Sequence, residues 1–269
     1  MSQIADQTYL RKQYQNASNL NDRIRIHVRF STNRYGWHPW VFDQIKLPEH
    51  AFVLELGCGP GRLWKENLGR IPTGWEIMLT DFSPGMLEEA RRNLAGVRRF
   101  AFEVADAQAL PFNDAGFDAV IANHMLYHVP DRARALAEIQ RVLKPTGHFY
   151  ATTVGETHLR ELRDLAVSFD PALVGWGGSP AHGFRLENGA AQLAPFFDHV
   201  ALQRYDDALV VTEAEPIVAF VASSDAHGLL NGVQRVEFTQ FVECQLQAQG
   251  GAIRIAKDSG MFVAYNLAP

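Results

Sequence analysis

The stretch Val53-Leu54-Glu55-Leu56-Gly57-Cys58-Gly59-Pro60-Gly61 decides the fold of this chain. The apolar residues from Ala51 to Leu56 predict a buried strand. The glycines that follow predict a tight turn where a ligand can approach the backbone without meeting a Cβ atom. A helical stretch then runs from Arg62 to about Gly69. Strand, tight loop and helix in this order indicate the opening unit of an α/β domain.

The same alternation of strand and helix continues along the chain. Ser83 and Pro84 suit the cap and the first position of a helix. Strands that are apolar throughout and alternate with helices indicate a parallel sheet covered on both faces. The further predicted strands are Glu76–Thr80, Phe100–Val104, Phe117–Ala122 and His148–Thr153, and the predicted helices are Ser83–Ala90 and Pro130–Leu143.

The sequence outside residues 50–155 is less regular. Residues 1–45 are aromatic-rich and predict a helical cap or lid; residues 46–155 form the core. Residues 156–230 predict a substrate-side insertion that contains the loop Gly175–Pro180 and returns to the sheet, and residues 231–269 predict a helix and final strands. The elements expected after the insertion begins are a strand at Val200–Arg204, helices near Glu213–Ala222 and Val233–Gln249, and a hairpin of Ala252–Ile255 with Met261–Tyr265 that turns at Asp258-Ser259-Gly260.

Composition excludes several classes of protein. The 269 residues carry 25 basic and 30 acidic side chains without blocks of one sign, which disfavours nucleic acid as a partner. No apolar run approaches the roughly 18 residues of a membrane-spanning helix, and the first residues do not resemble a signal peptide. Cys58 and Cys244 form neither a CxxC motif nor a zinc-ligand pattern. We therefore expect a cytoplasmic protein without a metal, as a monomer or homodimer.

Acidic side chains follow the predicted strands, where open α/β sheets bind ligands. A dinucleotide fingerprint starting at Gly57 would need glycine at position 62, where this chain has Arg62, so NAD is disfavoured. Glu55 would repel a pyrophosphate but can pair with a cationic amino group. Asp81 comes 20 residues after Gly61 and can accept both hydroxyls of a ribose, although a carboxylate there can also be a cap or a solvated loop residue.

Two further polar stretches follow the third and fourth predicted strands. Asp106-Ala107 places an acceptor for an exocyclic amine beside a small residue, although a bare Asp after a strand is more often a turn residue. The stretch from Asn123 to His128 mixes polar and apolar side chains where a ligand and a reacting centre would meet.

Five stretches between Val53 and Thr153 carry a family resemblance. Together they resemble the class I S-adenosylmethionine-dependent methyltransferases, and among these the small-molecule enzymes of ubiquinone and menaquinone biosynthesis. A small departure is Thr146, where many relatives carry glycine. The stretches are Val53 to Gly61, Thr80-Asp81-Phe82-Ser83-Pro84-Gly85-Met86, Asp106-Ala107-Gln108-Ala109-Leu110-Pro111-Phe112, Phe117-Asp118-Ala119-Val120 and Arg141-Val142-Leu143-Lys144-Pro145-Thr146-Gly147.

The resemblance implies a doubly wound, mostly parallel seven-stranded Rossmann-like sheet, with helices on both faces and a helical cap, that binds S-adenosylmethionine. It also implies a role for each matching residue. Glu55 would hold the amino group of the cofactor, and the loop glycines Gly57, Gly59 and Gly61 would line its methionine and ribose. Asp81 would bind the ribose hydroxyls, Phe82 or Met86 would pack on adenine, Asp106 with Ala107 beside it would accept from the adenine amine, and Asn123 would contact the cofactor.

The reaction expected from this resemblance is transfer of a methyl group to oxygen, nitrogen or carbon of a small molecule. If the acceptor must lose a proton, His128, His124 and Tyr127 are the nearest candidates for a base, with Glu156 and His158 behind them. A histidine at these positions can also simply cap a helix or fill the surface. Alternatives are a methyltransferase acting on protein or RNA, and a binding protein that keeps the cofactor pocket without turnover.

Overall fold

The computed structural model describes residues 18–175, 183–224 and 230–267, and seven strands within these ranges form one sheet. The strands are β1 (His50–Leu56), β2 (Gly74–Asp81), β3 (Phe100–Val104), β4 (Phe117–Asn123), β5 (Leu143–Val154), β6 (His199–Val211) and β7 (Ile253–Tyr265). Their spatial order is β3-β2-β1-β4-β5-β7-β6. The first five strands are parallel, whereas β7 runs antiparallel to both β5 and β6. The predicted α/β architecture is confirmed, and the sheet is mixed.

Helices cover both faces of this sheet. On one face, α5 and α7 pack around Phe149 and Phe262. On the other, α2, α3 and α4 pack around Trp64 and Tyr150. The described helices are α1 (Ser18–Phe30), α2 (Trp37–Gln44), α3 (Arg62–Lys65), α4 (Pro84–Asn93), α5 (Arg132–Val142), α6 (Arg160–Phe169), α7 (Gly189–Leu193), α8 (Ala214–Ser224) and α9 (Gly232–Ala248), with short 3-10 turns at Leu68–Arg70, Leu126–His128 and Pro171–Gly175.

Alternating burial explains why the central strands are apolar throughout. On β4, Ala119 and Ile121 face the cluster that contains Trp64, while Val120 and Ala122 face the opposite cluster. A strand covered on both faces cannot alternate between apolar and polar residues. The predicted cap of α4 is also present, because the backbone N–H of Met86 donates to Ser83 Oγ at 3.4 Å.

The predicted hairpin between residues 252 and 265 is wrong, because β7 is one continuous strand. The sequence Asp258-Ser259-Gly260 resembles a turn but lies in the middle of the ladder, where Ser259 pairs with Val154 on one side and with Tyr205 on the other. A Cβ atom on Gly260 would stand 2.6 Å from the carbonyl oxygen of Gln203. The glycine therefore marks a close approach of two backbones within a strand.

The strands β6 and β7 form a two-stranded ribbon that extends beyond the sheet. Their pairing continues to Val211 and Ile253, whereas β5 ends at Val154 opposite Ser259. Helices α1, α6, α8 and α9 pack around this extension in a third apolar cluster that includes Ile26 and Phe238. The residues on either side of the core thus meet in one helical layer beside the carboxyl end of β5.

The role of this layer as a cap, and the domain boundaries predicted above, stay predictions. Residues 1–17 and most of the predicted Gly175–Pro180 loop lie outside the described residues. Among the helices of the described part, none has the length and apolar character needed to cross a membrane.

Candidate functional site

The predicted ligand residues meet at the carboxyl ends of β1, β2 and β4. The order of the sheet reverses between β1 and β4, so the loops after these two strands leave toward opposite faces and open a crevice. Gly57 to Gly61 follow β1, Asp81 ends β2 and Asn123 ends β4. The sheet topology therefore assembles this site from separate stretches of the sequence.

The glycine loop after β1 is held by the carboxylate of Asp81. The Gly59 N–H donates to Asp81 Oδ2 at 2.9 Å, and the Ser83 N–H donates to Oδ1 at 2.8 Å. Burial raises the pKa of Asp81, while both backbone donors act in the opposite direction. The two hydrogen bonds fix the carboxylate at the rim of the crevice.

The three loop glycines have positive φ angles but different surroundings. A Cβ atom on Gly57 would stand 2.8 Å from Met125 Cβ, and one on Gly61 would stand 3.0 Å from Leu94 Cδ1. Nothing lies within 4 Å of the corresponding position on Gly59. Gly57 and Gly61 therefore allow close packing against neighbouring elements, whereas Gly59 faces open space beside Asp81.

Glu55 lies beneath this loop and is buried. Its Oε2 accepts a hydrogen bond of 2.6 Å from Trp64 Nε1. Trp64 belongs to α3, which packs against the sheet on this face. Burial raises the pKa of Glu55 to about 8; the charge of Asp81 adds to the rise, and the Trp64 hydrogen bond opposes it. A buried acid with a raised pKa is poised to ionise when a cation binds next to it.

The loop after β3 places Asp106 beside the same crevice. The Gln108 side chain donates to both carboxylate oxygens, at 3.0 and 3.1 Å, and Ala107 is buried. Arg141 braces the loop by donating to the Leu110 carbonyl oxygen at 3.0 Å. Arg141, from another of the stretches that carry the resemblance, thus supports the loop that contains Asp106.

The remaining predicted cofactor residues lie around these carboxylates. Met86 is buried in α4, and Phe82 is half-buried between Asp81 and the helix cap. Asn123 Oδ1 accepts a hydrogen bond of 2.6 Å from Thr152 Oγ1 on the neighbouring strand β5. Thr152 also accepts the His124 N–H at 2.9 Å, so one buried threonine anchors the loop that leaves β4.

The predicted base candidates lie in this loop but face different neighbours. The rings of Tyr127 and His128 are in contact, with centroids 4.5 Å apart. The His124 backbone is left-handed, with φ of 54°, and its ring lies 4.9 Å from the ring of Trp37 on α2. Burial, together with the nearby charges of His38, Lys257 and His128, lowers the pKa of His124 to about 3, so the imidazole is neutral at pH 7.

The sequence alone did not indicate a second polar group, which lies on the β6–β7 ribbon. Lys257 forms a buried ion pair with Asp207, and Asp207 also accepts a hydrogen bond from Ser31. Beside this pair stand two half-buried histidines, His27 on α1 and His158 after β5. Burial lowers the pKa of His27 to about 3 and that of His158 well below its usual value.

One signal in the sequence points toward this group. Tyr205, Asp207 and Leu209 are spaced two residues apart, which places them on one face of a strand. Nothing in the sequence, however, pairs Asp207 with Lys257. Within the ranges that the structure describes, no group of three or more His, Cys, Asp or Glu side chains is placed to hold a metal ion.

Comparison with known proteins identifies the domain around this crevice. Residues 54–151 match the family described as methyltransferase domain. Demethylmenaquinone methyltransferase from Staphylococcus aureus is 33% identical over 145 residues, which cover 53% of this chain and 59% of that relative. The match therefore spans somewhat over half the length of the curated relative. The chain is similar to class I methyltransferases of quinone biosynthesis.

Solved structures share the fold at lower identity. The S-adenosylmethionine complex of phosphoethanolamine N-methyltransferase 2 from Haemonchus contortus has a TM-score of 0.59 and 18% identity, over 96% of this chain and 59% of that chain. The cyclase SpnF has a TM-score of 0.58 and 18% identity, over 96% of each chain. These likenesses support the α/β fold.

Proposed function

We propose that this chain, with its methyltransferase domain at residues 54–151, binds S-adenosylmethionine at the β1–β4 crevice and transfers its methyl group to a small molecule. The observation that carries the proposal is the cradle of Asp81 and Gly59. A carboxylate held by two backbone N–H groups lies at the end of β2, beside a glycine whose Cβ direction is empty. A ribose with two hydroxyls fits such a cradle, because carboxylate oxygens accept hydrogen bonds from both.

The other donors and acceptors fit the rest of this cofactor. Asp106 is placed to accept from the adenine amine, with Met86 or Phe82 packing on the base and Ala107 beside it. Glu55 is placed to hold the amino group, and Gly57 with Asn123 lines the path toward the acceptor. Glu55 and Asp81 lie close enough for the charge of Asp81 to raise the pKa of Glu55. A second negative group such as a pyrophosphate would be repelled there, which argues against a dinucleotide.

When bound, the cofactor supplies a methyl group on a positively charged sulfur. The chain's own task is to hold the acceptor in line with that methyl group, a contribution of roughly 7–11 kcal/mol in well-oriented pairs. The acceptor lone pair forms the new bond to carbon, the carbon–sulfur electron pair stays on sulfur, and any acceptor proton leaves to a base. Neutral His124 can receive a hydrogen bond from the acceptor, and His128 and Tyr127 are the alternatives in the same loop.

The finer parts of the proposal follow the sequence predictions. We place the protein in the cytoplasm, as a monomer or homodimer that acts without nucleic acid and without inserting into a membrane. A screen of candidate acceptors with methyl-labelled cofactor tests the activity, and transfer to a small molecule but not to RNA or protein is the expected result. If the labelled cofactor binds but no acceptor class receives the methyl group, a second candidate function is favoured, namely a protein that uses the cofactor fold without methyl transfer.

That second candidate is a protein that uses the cofactor fold without methyl transfer. The cyclase SpnF has this fold, so the fold by itself does not give the reaction. The methyltransferase-domain match and the 33% identical relative favour turnover.

The base assignment can be tested separately from cofactor binding. His128→Ala and His124→Ala are each expected to leave the affinity for S-adenosylhomocysteine within about twofold. The variant that removes the true base should lower acceptor turnover by about 10²–10⁴-fold. Calorimetry and initial rates measure the two quantities, and unchanged turnover in both variants would rule out a histidine base in this loop.

Two glycine variants are expected to separate stability from binding. Gly57→Ala should lower the free energy of unfolding by about 3 kcal/mol, because a left-handed alanine is strained and its Cβ meets Met125. Gly59→Ala should cost only about 1 kcal/mol of stability from the same backbone strain. Its Cβ enters the open space beside Asp81, so it should weaken S-adenosylhomocysteine binding instead.

Chemical denaturation and calorimetry of both glycine variants measure these effects. If Gly59→Ala binds S-adenosylhomocysteine as the wild type does, the open space that a Cβ atom on Gly59 would enter is not part of the cofactor site.

A further inference from the structure

The linker between α1 and α2, residues 31–36, is bound to the outer edge of the ribbon. The Thr32 N–H donates to the Ala208 carbonyl oxygen at 2.8 Å, and the Ala208 N–H donates in return to Thr32 Oγ1 at 3.0 Å. The Asn33 side chain donates to the Asp206 carbonyl oxygen at 2.9 Å. The start of the linker is therefore a short addition to β6, the last strand of the sheet.

The carboxylate of Asp207 collects the donors of this linker. The side chain is fully buried and accepts from Ser31 Oγ, from Thr32 Oγ1 at 3.2 Å and from the Asn33 N–H at 2.9 Å. Lys257, which lies opposite Asp207 in the ladder, donates to the same carboxylate and to Ser31 Oγ at 3.3 Å. Burial opposes the charge of Asp207, but these hydrogen bonds hold its pKa below the ordinary value. One buried carboxylate thus fixes three consecutive residues of the linker.

The linker leads directly to Trp37, whose ring lies against the loop that leaves β4. Gly36 has φ of 94°, which glycine adopts without strain, and α2 begins at the next residue. The centroid of the Trp37 ring lies 4.9 Å from that of His124, which directly follows Asn123. The first turn of α2 therefore continues a segment whose course is set on the ribbon.

His124 needs support from its neighbours because its backbone is strained. Its φ of 54° lies in the left-handed region, which a residue other than glycine occupies only where the surrounding structure holds it there. The Thr152 hydroxyl accepts the His124 N–H at 2.9 Å, and the Trp37 ring contacts the imidazole. Strained residues of this kind gather at functional sites. The conformation of His124 therefore depends on a contact that the linker carries.

We propose that Asp207 is a positioning residue for the loop after β4: by holding residues 31–33, it seats the Trp37 ring against His124. This inference rests on the proposed function, in which that loop contacts the cofactor and carries the candidate bases. Asp207 acts through the linker, because its own charge is already neutralised within the ribbon.

The titration of His124 gives a readout that a purely structural role of the ion pair would not change. The titratable and charged groups that face this imidazole are His38 on α2, Lys257 on the ribbon, His158 after β5 and His128 on its own loop. If the Trp37 ring moves away, the imidazole gains water and should titrate near its ordinary pKa of about 6.5. Histidine NMR of the full chain follows the titration, and His124→Gln identifies the signal by its loss.

Two double variants differ only in the acceptor that they offer to the linker. Asp207→Ala/Lys257→Met removes the acceptor, whereas Asp207→Asn/Lys257→Met keeps an amide oxygen for the Asn33 N–H. Both remove the two charges together, so neither leaves a buried charge unpaired, and both remove the effect of Lys257 on His124 equally. In the alanine variant, the pKa of His124 should be at least about one unit higher than in the asparagine variant.

Thr157→Val is the matched control. The Thr157 hydroxyl donates at 3.0 Å to Asp258, which lies next to Lys257 on β7 but binds the loop after β5 instead of the linker. The control should leave the titration of His124 unchanged.

A milder variant keeps the test decisive if the alanine variant does not fold. Ser31→Ala/Thr32→Val removes two of the linker's donors and keeps the ion pair. His124 should then begin to titrate above about pH 5, where the wild type stays neutral.

The outcomes separate this inference from the proposed function. If the wild type does not bind S-adenosylhomocysteine, the proposed function is wrong, and the titration of His124 still decides whether Asp207 positions the loop. Equal titration of His124 in the alanine and asparagine variants would overturn the inference. If the alanine variant does not fold, a titration in Ser31→Ala/Thr32→Val that matches the wild type would overturn it in the same way.

Discussion

Asp81→Ala is expected to weaken S-adenosylhomocysteine binding by about 2–4 kcal/mol, which corresponds to roughly 30- to 1000-fold in Kd. The carboxylate is proposed to accept two ribose hydroxyls, and hydrogen bonds to a charged group contribute more than neutral ones. The same carboxylate holds the Gly59 and Ser83 N–H groups, so its loss also loosens the glycine loop. Isothermal calorimetry with the purified variant measures the change in affinity.

The matched control for this variant is Asp118→Ala. Asp118 also accepts a backbone N–H, from Phe52 at 2.8 Å, but it lies at the start of β4, away from the crevice. The control should lose stability and keep ligand affinity. Equal ligand affinity in wild type and Asp81→Ala would remove Asp81 from the cofactor site.

Glu55→Gln is expected to change stability and binding in opposite directions. The folded-state pKa of Glu55 is raised from 4.5 to about 8, so the carboxyl destabilises the ligand-free fold progressively above pH 4.5, up to about pH 8. Glutamine does not titrate and can still accept the Trp64 N–H. The variant should therefore exceed the wild type by about 3 kcal/mol at pH 7 and match it near pH 4.

The same substitution should weaken S-adenosylhomocysteine binding by about 3 kcal/mol, because the ligand's buried amino group loses its carboxylate partner. In the wild type, that pairing requires Glu55 to ionise, so affinity should rise with pH up to about 8. Denaturant titrations across pH and calorimetry measure the two effects. If Glu55→Gln binds S-adenosylhomocysteine as tightly as the wild type, Glu55 does not contact the ligand and serves only as the hydrogen-bond acceptor for Trp64.

The core was predictable because its signals are local. The strand before Gly57, the cap at Ser83 and the apolar β4 each follow from neighbouring residues, and parallel topology then brings Asp81 and Asn123 to one edge. The reading of Asp258-Ser259-Gly260 as a turn failed because its cause lies elsewhere: Gly260 is required by the carbonyl oxygen of Gln203 on another strand.

The ring contacts of Trp37 and the buried ion pair of the ribbon could not be predicted for the same reason. Trp37 and His124 are 87 positions apart in the sequence, and Lys257 reaches Asp207 only after α8 and α9 have intervened. Each of these residues has an ordinary interpretation by itself as a core aromatic or a surface charge. Only the antiparallel return of β7 beside β6 brings Lys257 to Asp207, two residues along the strand from Tyr205, whose ring contacts Trp37.

The central claim is that carboxylates at the strand ends hold an adenosine with a cationic amino acid, and a pair of parallel titrations tests it most directly. S-adenosylhomocysteine and NAD are titrated separately into the full chain at pH 7, in two buffers with different heats of ionisation. The account predicts saturable binding of S-adenosylhomocysteine with release of a proton from Glu55, and no binding of NAD. Binding of NAD without binding of S-adenosylhomocysteine would contradict it.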